Sequence, residues 1–313
     1  MTSILRSDVA GPGAPRARSG PPEGRSPRWG WITVGLVAPA ALLTVAVQIY
    51  PTLYSFYLSF GTVSAGTVTP VGLDNYRWLL TSARFWQSRA VTLVYGVAFV
   101  VITFVLALAL ALVFNTQFRG KAFYLTVIFV PWILSEITSG VIWRWMFLRD
   151  YGFLQELLGP LFGDVTVLAT PVGALAVLVV ANVWKSVAFA LLLILAALQT
   201  ISREIDEAAR LDGAGAWRRL RSVTLPLIRP TLTVVIAFMA IQSVNAIGMV
   251  MSVTEGGPGS STEILSLFMY RQAMDFGKLG VGSAVGVVMF FVNLVFALTY
   301  LRALNRQSEL GGR

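Results

Sequence analysis

The residues whose types and spacing could do chemistry fall in two places. One is a polar connection, residues 199–229, which carries Glu204, Asp206, Glu207, Asp212 and six of the chain's Lys and Arg residues. The other is a scatter of polar side chains inside apolar runs: Glu136, Asn182, Lys185, Gln242, Asn245 and Asn293. Neither place is equipped to make or break bonds. The chain has no histidine and no cysteine, which excludes His or Cys metal sites, cysteine nucleophiles, CxxC redox chemistry and any triad with a histidine base. A phosphate-cradling P-loop needs GxxxxGK and then Ser or Thr. The two Gly-Lys pairs, Gly120-Lys121 and Gly277-Lys278, are followed by Ala122 and Leu279, so neither is a P-loop. What remains is recognition: a charged surface element and a polar path.

The polar connection has structure of its own. Ser202 stands where an N-cap is expected, and Glu204, Asp206 and Glu207 put negative charge near a helix start, where the macrodipole favours it. Ile201, Ile205, Ala208 and Ala209 share a face at 3.6-residue spacing. Gly213 is a natural stop. The spacing predicts a helix of roughly ten residues, about 15 Å long. Alone in water such a helix is marginal. Either it rests on the span ends of its own chain or it docks into a groove on a partner. Arg218, Arg219 and Arg221 suit a protein partner or lipid headgroups equally.

The elements that must position these residues are set by composition. Of the 313 residues, 56% are apolar and 12% charged, against roughly a quarter charged in soluble domains. That much apolar surface needs a bilayer. Six apolar stretches come near the roughly 20 residues that cross ~30 Å of hydrocarbon: Trp31–Phe60, Ala90–Phe114, Phe123–Phe147, Pro171–Leu198, Arg229–Ser252 and Val281–Leu304. None alternates with period two, which argues against a membrane β-barrel. The organisation expected is a disordered basic tail over 1–30 without signal-peptide features, an all-α membrane body over 31–304, and a short tail over 305–313. Sixteen of the 24 Lys and Arg residues fall on the side of the termini and the 199–229 loop, and six on the other. Both termini are therefore expected in the cytoplasm, and the net charge of +9 reads as topology and lipid attraction, with no nucleic acid.

Within the spans, Pro39, Pro51, Pro131, Pro226 and Pro230 are expected at kinks or helix starts. Gly282 and Gly286 permit close helix approach. Glu136 and Lys185 lie near the middle of adjacent antiparallel spans, where either charge alone costs about 3 kcal/mol on insertion scales, so an ion pair is expected between them. Gln242 and Asn245 share a helix face. With Asn182, these residues form the candidate substrate path. Trp132, Trp143, Trp145 and Trp184 could stack on sugar rings or anchor span ends, and Arg144 is expected to snorkel.

The polar connection resembles a known family. Glu207-Ala208-Ala209, Asp212-Gly213-Ala214 and Leu225-Pro226, with Pro230 beyond, look like the EAA loop of ABC importer permeases. Val223 stands where isoleucine is usual and Leu220 where phenylalanine is common, and both remain apolar. Val71-Gly72-Leu73-Asp74-Asn75-Tyr76 resembles the stretch after the first span of carbohydrate-type permeases. Gly256-Gly257-Pro258 with Ser261-Thr262 resembles the segment before the last span. The end of the chain lacks the terminal motif of the second permease type, so the chain is similar to the first, maltose-transporter F-like, type.

The resemblance implies a type I importer permease fold with six transmembrane helices in a bacterial inner membrane. It implies a transport subunit rather than an enzyme, with no cofactor of its own and with ATP and Mg on a partner. The partners implied are a second homologous permease, two cytoplasmic ATPase subunits and an extracytoplasmic solute-binding protein, with a sugar as solute. Glu207, Ala208, Ala209, Asp212, Gly213, Ala214, Leu225 and Pro226 would couple to the ATPase, Glu207 as polar anchor, although macrodipole stabilisation alone also accounts for Glu207. The alternatives are the same machinery importing glycerol phosphate, a stand-alone secondary transporter, and a membrane enzyme. The last two are disfavoured by the single mid-span acid and by the missing His and Cys.

Overall fold

The computed structural model describes residues 27–64, 66–158 and 166–310. Two compact units divide the chain, residues 1–52 and 53–313. In the first, α1 (Pro27–Thr44) contains Pro39 and gives way to a π turn over Val45–Ile49. Helix therefore begins inside the expected 1–30 tail, and residues 1–26 of that tail lie outside the described residues. Helix α2 (Tyr50–Ser59) completes the first apolar run, Val34–Ser59.

The second unit begins within α2, and a hairpin of β1 (Gly61–Ser64) and β2 (Thr67–Pro70) follows, antiparallel with Thr62 opposite Thr69. Helix α3 (Asp74–Thr81) follows. Asn75 Nδ2 donates to the carbonyls of Ser59 and Gly61, each at 2.9 Å, and the Tyr76 hydroxyl bonds Ser59 Oγ at 2.7 Å. The 71–76 motif thus ties the hairpin to the end of the first span. Gly280 packs against the same point: a Cβ there would lie 1.9 Å from the Gly61 carbonyl oxygen.

The membrane body follows. It comprises α4 (Ala83–Phe114), the pair α5 (Lys121–Ile133) and α6 (Glu136–Met146), the short α7 (Phe153–Leu158), and α8 (Pro171–Gln199). After α9 (Arg203–Leu211) come α10 (Ala216–Arg219), α11 (Leu225–Val244), α12 (Ile247–Val253), α13 (Leu265–Tyr270) and α14 (Leu279–Leu310). Five helical runs among the described residues are long and apolar enough to cross a membrane, and α5 with α6 makes a sixth, broken one. Helix α14 continues to Leu310, so residues 305–310 of the expected C-terminal tail are helical.

Helix α8 is the central post, with 61% of its most apolar window buried against 28–33% for α4, α11 and α14. Thr170 Oγ1 caps it by accepting from Gly173 N at 3.1 Å, with Pro171 in the first turn. Small residues, among them Ala174, Ala181, Ala188 and Ala190, are wholly buried along it. Without a hydrophobic drive between helices in lipid, such small surfaces let dispersion contacts hold the bundle. Asn182 donates to the buried Tyr95 hydroxyl on α4, which satisfies both polar groups inside the body. Gly282 does serve close packing within the chain, because a Cβ there would lie 2.7 Å from Ala273 Cβ.

Two spans differ from the sequence expectation. Instead of one helix over Phe123–Phe147, α5 and α6 meet at 99°. The cause is local: Pro131 lacks a donor for the α5 ladder, Leu134 and Ser135 are extended, and Ser135 Oγ starts a new helix by accepting from Thr138 N at 3.1 Å. Glu136 therefore stands at the first turn of α6 rather than mid-span. The fifth span begins at Ala216 rather than Arg229 and runs to Val244. It passes through a π turn at Leu220–Thr224 just ahead of Pro226. It stops at Asn245, whose Nδ2 caps its own helix end by donating to the Ile241 carbonyl at 2.7 Å.

Candidate functional site

The polar connection forms α9 and a tight turn into α10. Ser202 occupies the N-cap with extended backbone, but its side chain accepts no capping hydrogen bond. The C-terminus is built as a Schellman motif. Ala214 N donates to the Ala209 carbonyl and Gly213 N to the Arg210 carbonyl, each at 3.0 Å, with Gly213 at φ +75°. Only glycine adopts that backbone at little cost.

One face of α9 is tied to its own chain. The Asp206 carboxylate pairs with Arg210 Nη2 at 2.8 Å and with Arg219 Nε at 3.1 Å, which fastens α9 to α10. Asp206 and Ala209 are half-buried, and Ile201 packs against the main apolar core. A cavity of about 510 Å3 separates α9 and α10 from the ends of α4 and α8, with Asn115, Arg203 and Trp217 in its lining. At 100° per residue the opposite face carries Glu204, Glu207, Ala208 and Leu211, all exposed, Leu211 at 90%. Ala208 and Ala209 thus point to different sides. Of the remaining loop residues, Asp212, Gly213 and Pro226 are exposed, while Ala214 and Leu225 are half-buried.

The second candidate site lies where α5, α6, α8 and α11 meet. Trp132, Glu136, Asn182, Lys185 and Gln242 line one small cavity, together with Phe189. Trp132 and Phe189 stack with ring centroids 5.7 Å apart. Its volume is about 30 Å3, room for one or two waters and none for a sugar, and Trp132 and Gln242 on its rim are exposed. Glu136 and Lys185 do not form the expected ion pair among the described residues. Lys185 Nζ instead donates to the Trp132 main-chain carbonyl at 3.4 Å. The bend explains this: breaking the helix frees carbonyls at the end of α5, which draw a cation, while Glu136 gains the N-terminal field of α6. Asn245 is not with the others. It caps the end of α11, 3.4 Å from Asn293 Oδ1 on α14, and does not line this cavity.

Reading the sequence missed several positioning residues. Gly248 on α12 lets Glu136 pass, because a Cβ there would lie 2.8 Å from Glu136 Oε2; Gly140 likewise accommodates Ser252. Glu263 is fully buried between Arg84 (2.7 and 2.9 Å) and Arg271 (2.8 Å). Arg144, partly exposed, pairs with the exposed Glu255 at 2.5 Å, a partner that the sequence reading did not name. The composition of 61–89 and 253–280 marked Arg84 and Arg271 only as loop charges. Their shared partner is 179 residues from Arg84, a distance at which no spacing rule operates.

The described residues thus form a multi-span helical body with one broken span and, at one end, a short helix with a free face. The chain belongs to the family of binding-protein-dependent transport system inner membrane components, whose model matches residues 80–307. It is 33% identical over 295 residues to the sulfoquinovosyl glycerol transport system permease protein SmoG of Agrobacterium fabrum, covering 90% of this chain and 96% of that one. It is 32% identical to the trehalose/maltose transport system permease protein MalF of Thermococcus litoralis, covering 85% and 91%. The trehalose transport system permease protein SugA of Mycobacterium tuberculosis is 34% identical, with 85% and 86% covered. The fold matches a chain of a bacterial ABC transporter that imports the polysaccharide alginate, with a TM-score of 0.74 at 20% identity over 90% of this chain and 96% of that one. The chain is thus a multi-pass permease component of an inner membrane, a transport subunit and not an enzyme.

Proposed function

We propose that this chain is one of two homologous membrane subunits of a bacterial ATP-driven importer for a sugar or oligosaccharide. It is served by an extracytoplasmic binding protein and by two cytoplasmic ATPase subunits that carry ATP and Mg. The carrying observation is α9: one face held by Asp206, the other exposing Glu204, Glu207, Ala208 and Leu211. On this reading that face seats in an ATPase cleft, with Glu207 as its polar anchor. The Gly213 turn and Leu225-Pro226 pass the movement into α11, which carries Gln242 at its far end. Both termini are cytoplasmic. Rocking of the paired subunits then opens and closes the cavity at Trp132, Glu136, Asn182, Lys185 and Gln242. The relatives supporting the solute class transport trehalose, maltose and sulfoquinovosyl glycerol by their names.

The test is co-purification of the tagged chain followed by reconstitution with the proteins it retains. An ATPase and a second permease are expected in the complex, together with uptake from a panel of neutral and acidic sugars and glycerol phosphate that requires the binding protein. Uptake by this chain alone, driven by an ion gradient, would overturn the reading.

A further inference from the structure

An apolar groove of about 530 Å3 runs along the body between α4, α11 and α14. Leu93, Val97, Val101, Val244, Val292 and Phe296 form its walls. Val97 and Val101 are 62% and 53% exposed, so the groove is open to the surroundings of the body. Arg89 lies at one end of it, on the α4 half away from α9. The guanidinium stands 4.6 Å from the centre of the Trp86 ring. No carboxylate pairs with it among the described residues.

Lengths place this cation in the membrane. The 32 residues of α4 span about 48 Å, roughly 18 Å more than the hydrocarbon core. Shared between both ends, that excess sets Arg89, about 9 Å in from Ala83, at the boundary with the headgroups. Trp86 beside it is an interfacial residue type. From Arg89 to Val101 is about 18 Å along the helix, close to one leaflet, which is about half of ~30 Å.

We propose that this groove holds one phospholipid, its phosphodiester on Arg89 and an acyl chain between α4, α11 and α14. A planar guanidinium matches phosphate with two parallel hydrogen bonds. The groove ends on that cation after one leaflet. A transmembrane helix of a partner would cross both leaflets and leave the arginine without a counter-charge, so the lipid is the better occupant. The bound chain braces α4 against α11, the helix continuous with the α9–α10 segment.

The complete transporter, purified with its partner subunits, is compared with Arg89→Gln and Val97→Trp by native mass spectrometry after delipidating washes. The first substitution removes the phosphate contact on an exposed side chain and leaves the walls intact. The second fills the groove and leaves the cation. Each should reduce the retained one-to-one phospholipid adduct at least threefold, and a photoreactive side chain at position 97 should label phospholipid. Equal adduct occupancy in both variants and the parent, or labelling that goes to a polypeptide, overturns the proposal.

Discussion

Lys185 Nζ lies 3.4 Å from the main-chain carbonyl oxygen of Trp132 and makes no salt bridge to Glu136, although both charged side chains line the same cavity. The two charges are accommodated by the two ends of one broken span rather than by each other. The cation sits at the last turn of α5 and the carboxylate at the first turn of α6, each at the pole of a half-helix that suits it. A cavity with both signs of charge left available is suited to a solute rich in hydroxyl groups, which donate to one and accept from the other.

This arrangement makes exchanging the two charges uninformative for a salt bridge and damaging for the half-helices. The double variant Glu136→Lys, Lys185→Glu should transport no better than the worse single variant, because each charge then meets the wrong helix pole. Uptake by reconstituted transporter measures it. Restoration to near the parental rate would show a direct pair.

Gly248 should resist substitution. A Cβ there meets Glu136 Oε2 at 2.8 Å and Glu136 Cβ at 3.0 Å, while one at Gly215 meets nothing within 4 Å. Gly248→Val is expected to cost about 1–3 kcal/mol through overpacking, seen as a lowered Tm of the purified transporter, whereas Gly215→Ala should leave Tm unchanged. Equal Tm values would show that α6 and α12 yield.

Glu263→Gln should loosen the end of the body away from α9. The carboxylate is wholly buried, while Arg84 and Arg271 keep 40% and 24% side-chain exposure. Solvent on the arginines lowers the loss below the roughly 3–5 kcal/mol of a fully buried pair, so about 2 kcal/mol is expected. Thermal unfolding would register it. A variant as stable as the parent would mean that water replaces the pair.

The parts of this architecture legible in the sequence are those written in local pattern. The α9 stop at Gly213 was readable because one residue type satisfies a left-handed turn, and the apolar runs were readable because hydropathy alone marks them. The bend between Ile133 and Glu136 was legible only as a kink expected at Pro131; that it breaks the run into two helices at 99° was not, because Leu134 and Ser135 interrupt the run too briefly to alter its hydropathy. Its signals, Pro131 and the Ser135–Thr138 cap, are common in continuous helices as well. Four of the five path residues meet in one cavity, but Asn245 instead caps the end of α11 beside Asn293, a tertiary contact that spacing does not encode. The Arg84–Glu263 bond depends on tertiary placement that no periodicity encodes.

The account rests on α9 as the element through which a motor on another chain works this one. The most direct measurement is the number of solute molecules imported per ATP hydrolysed by the reconstituted transporter, for the parent, Glu207→Lys and Gly213→Asp. Glu207→Lys reverses the charge on the free face. Gly213→Asp forces a side chain into φ +75°, at a cost of order 1 kcal/mol. Both variants should remain in the membrane and keep the transmembrane body intact, with uptake per ATP reduced at least tenfold. Parental uptake per ATP in both variants would contradict the coupling role of α9.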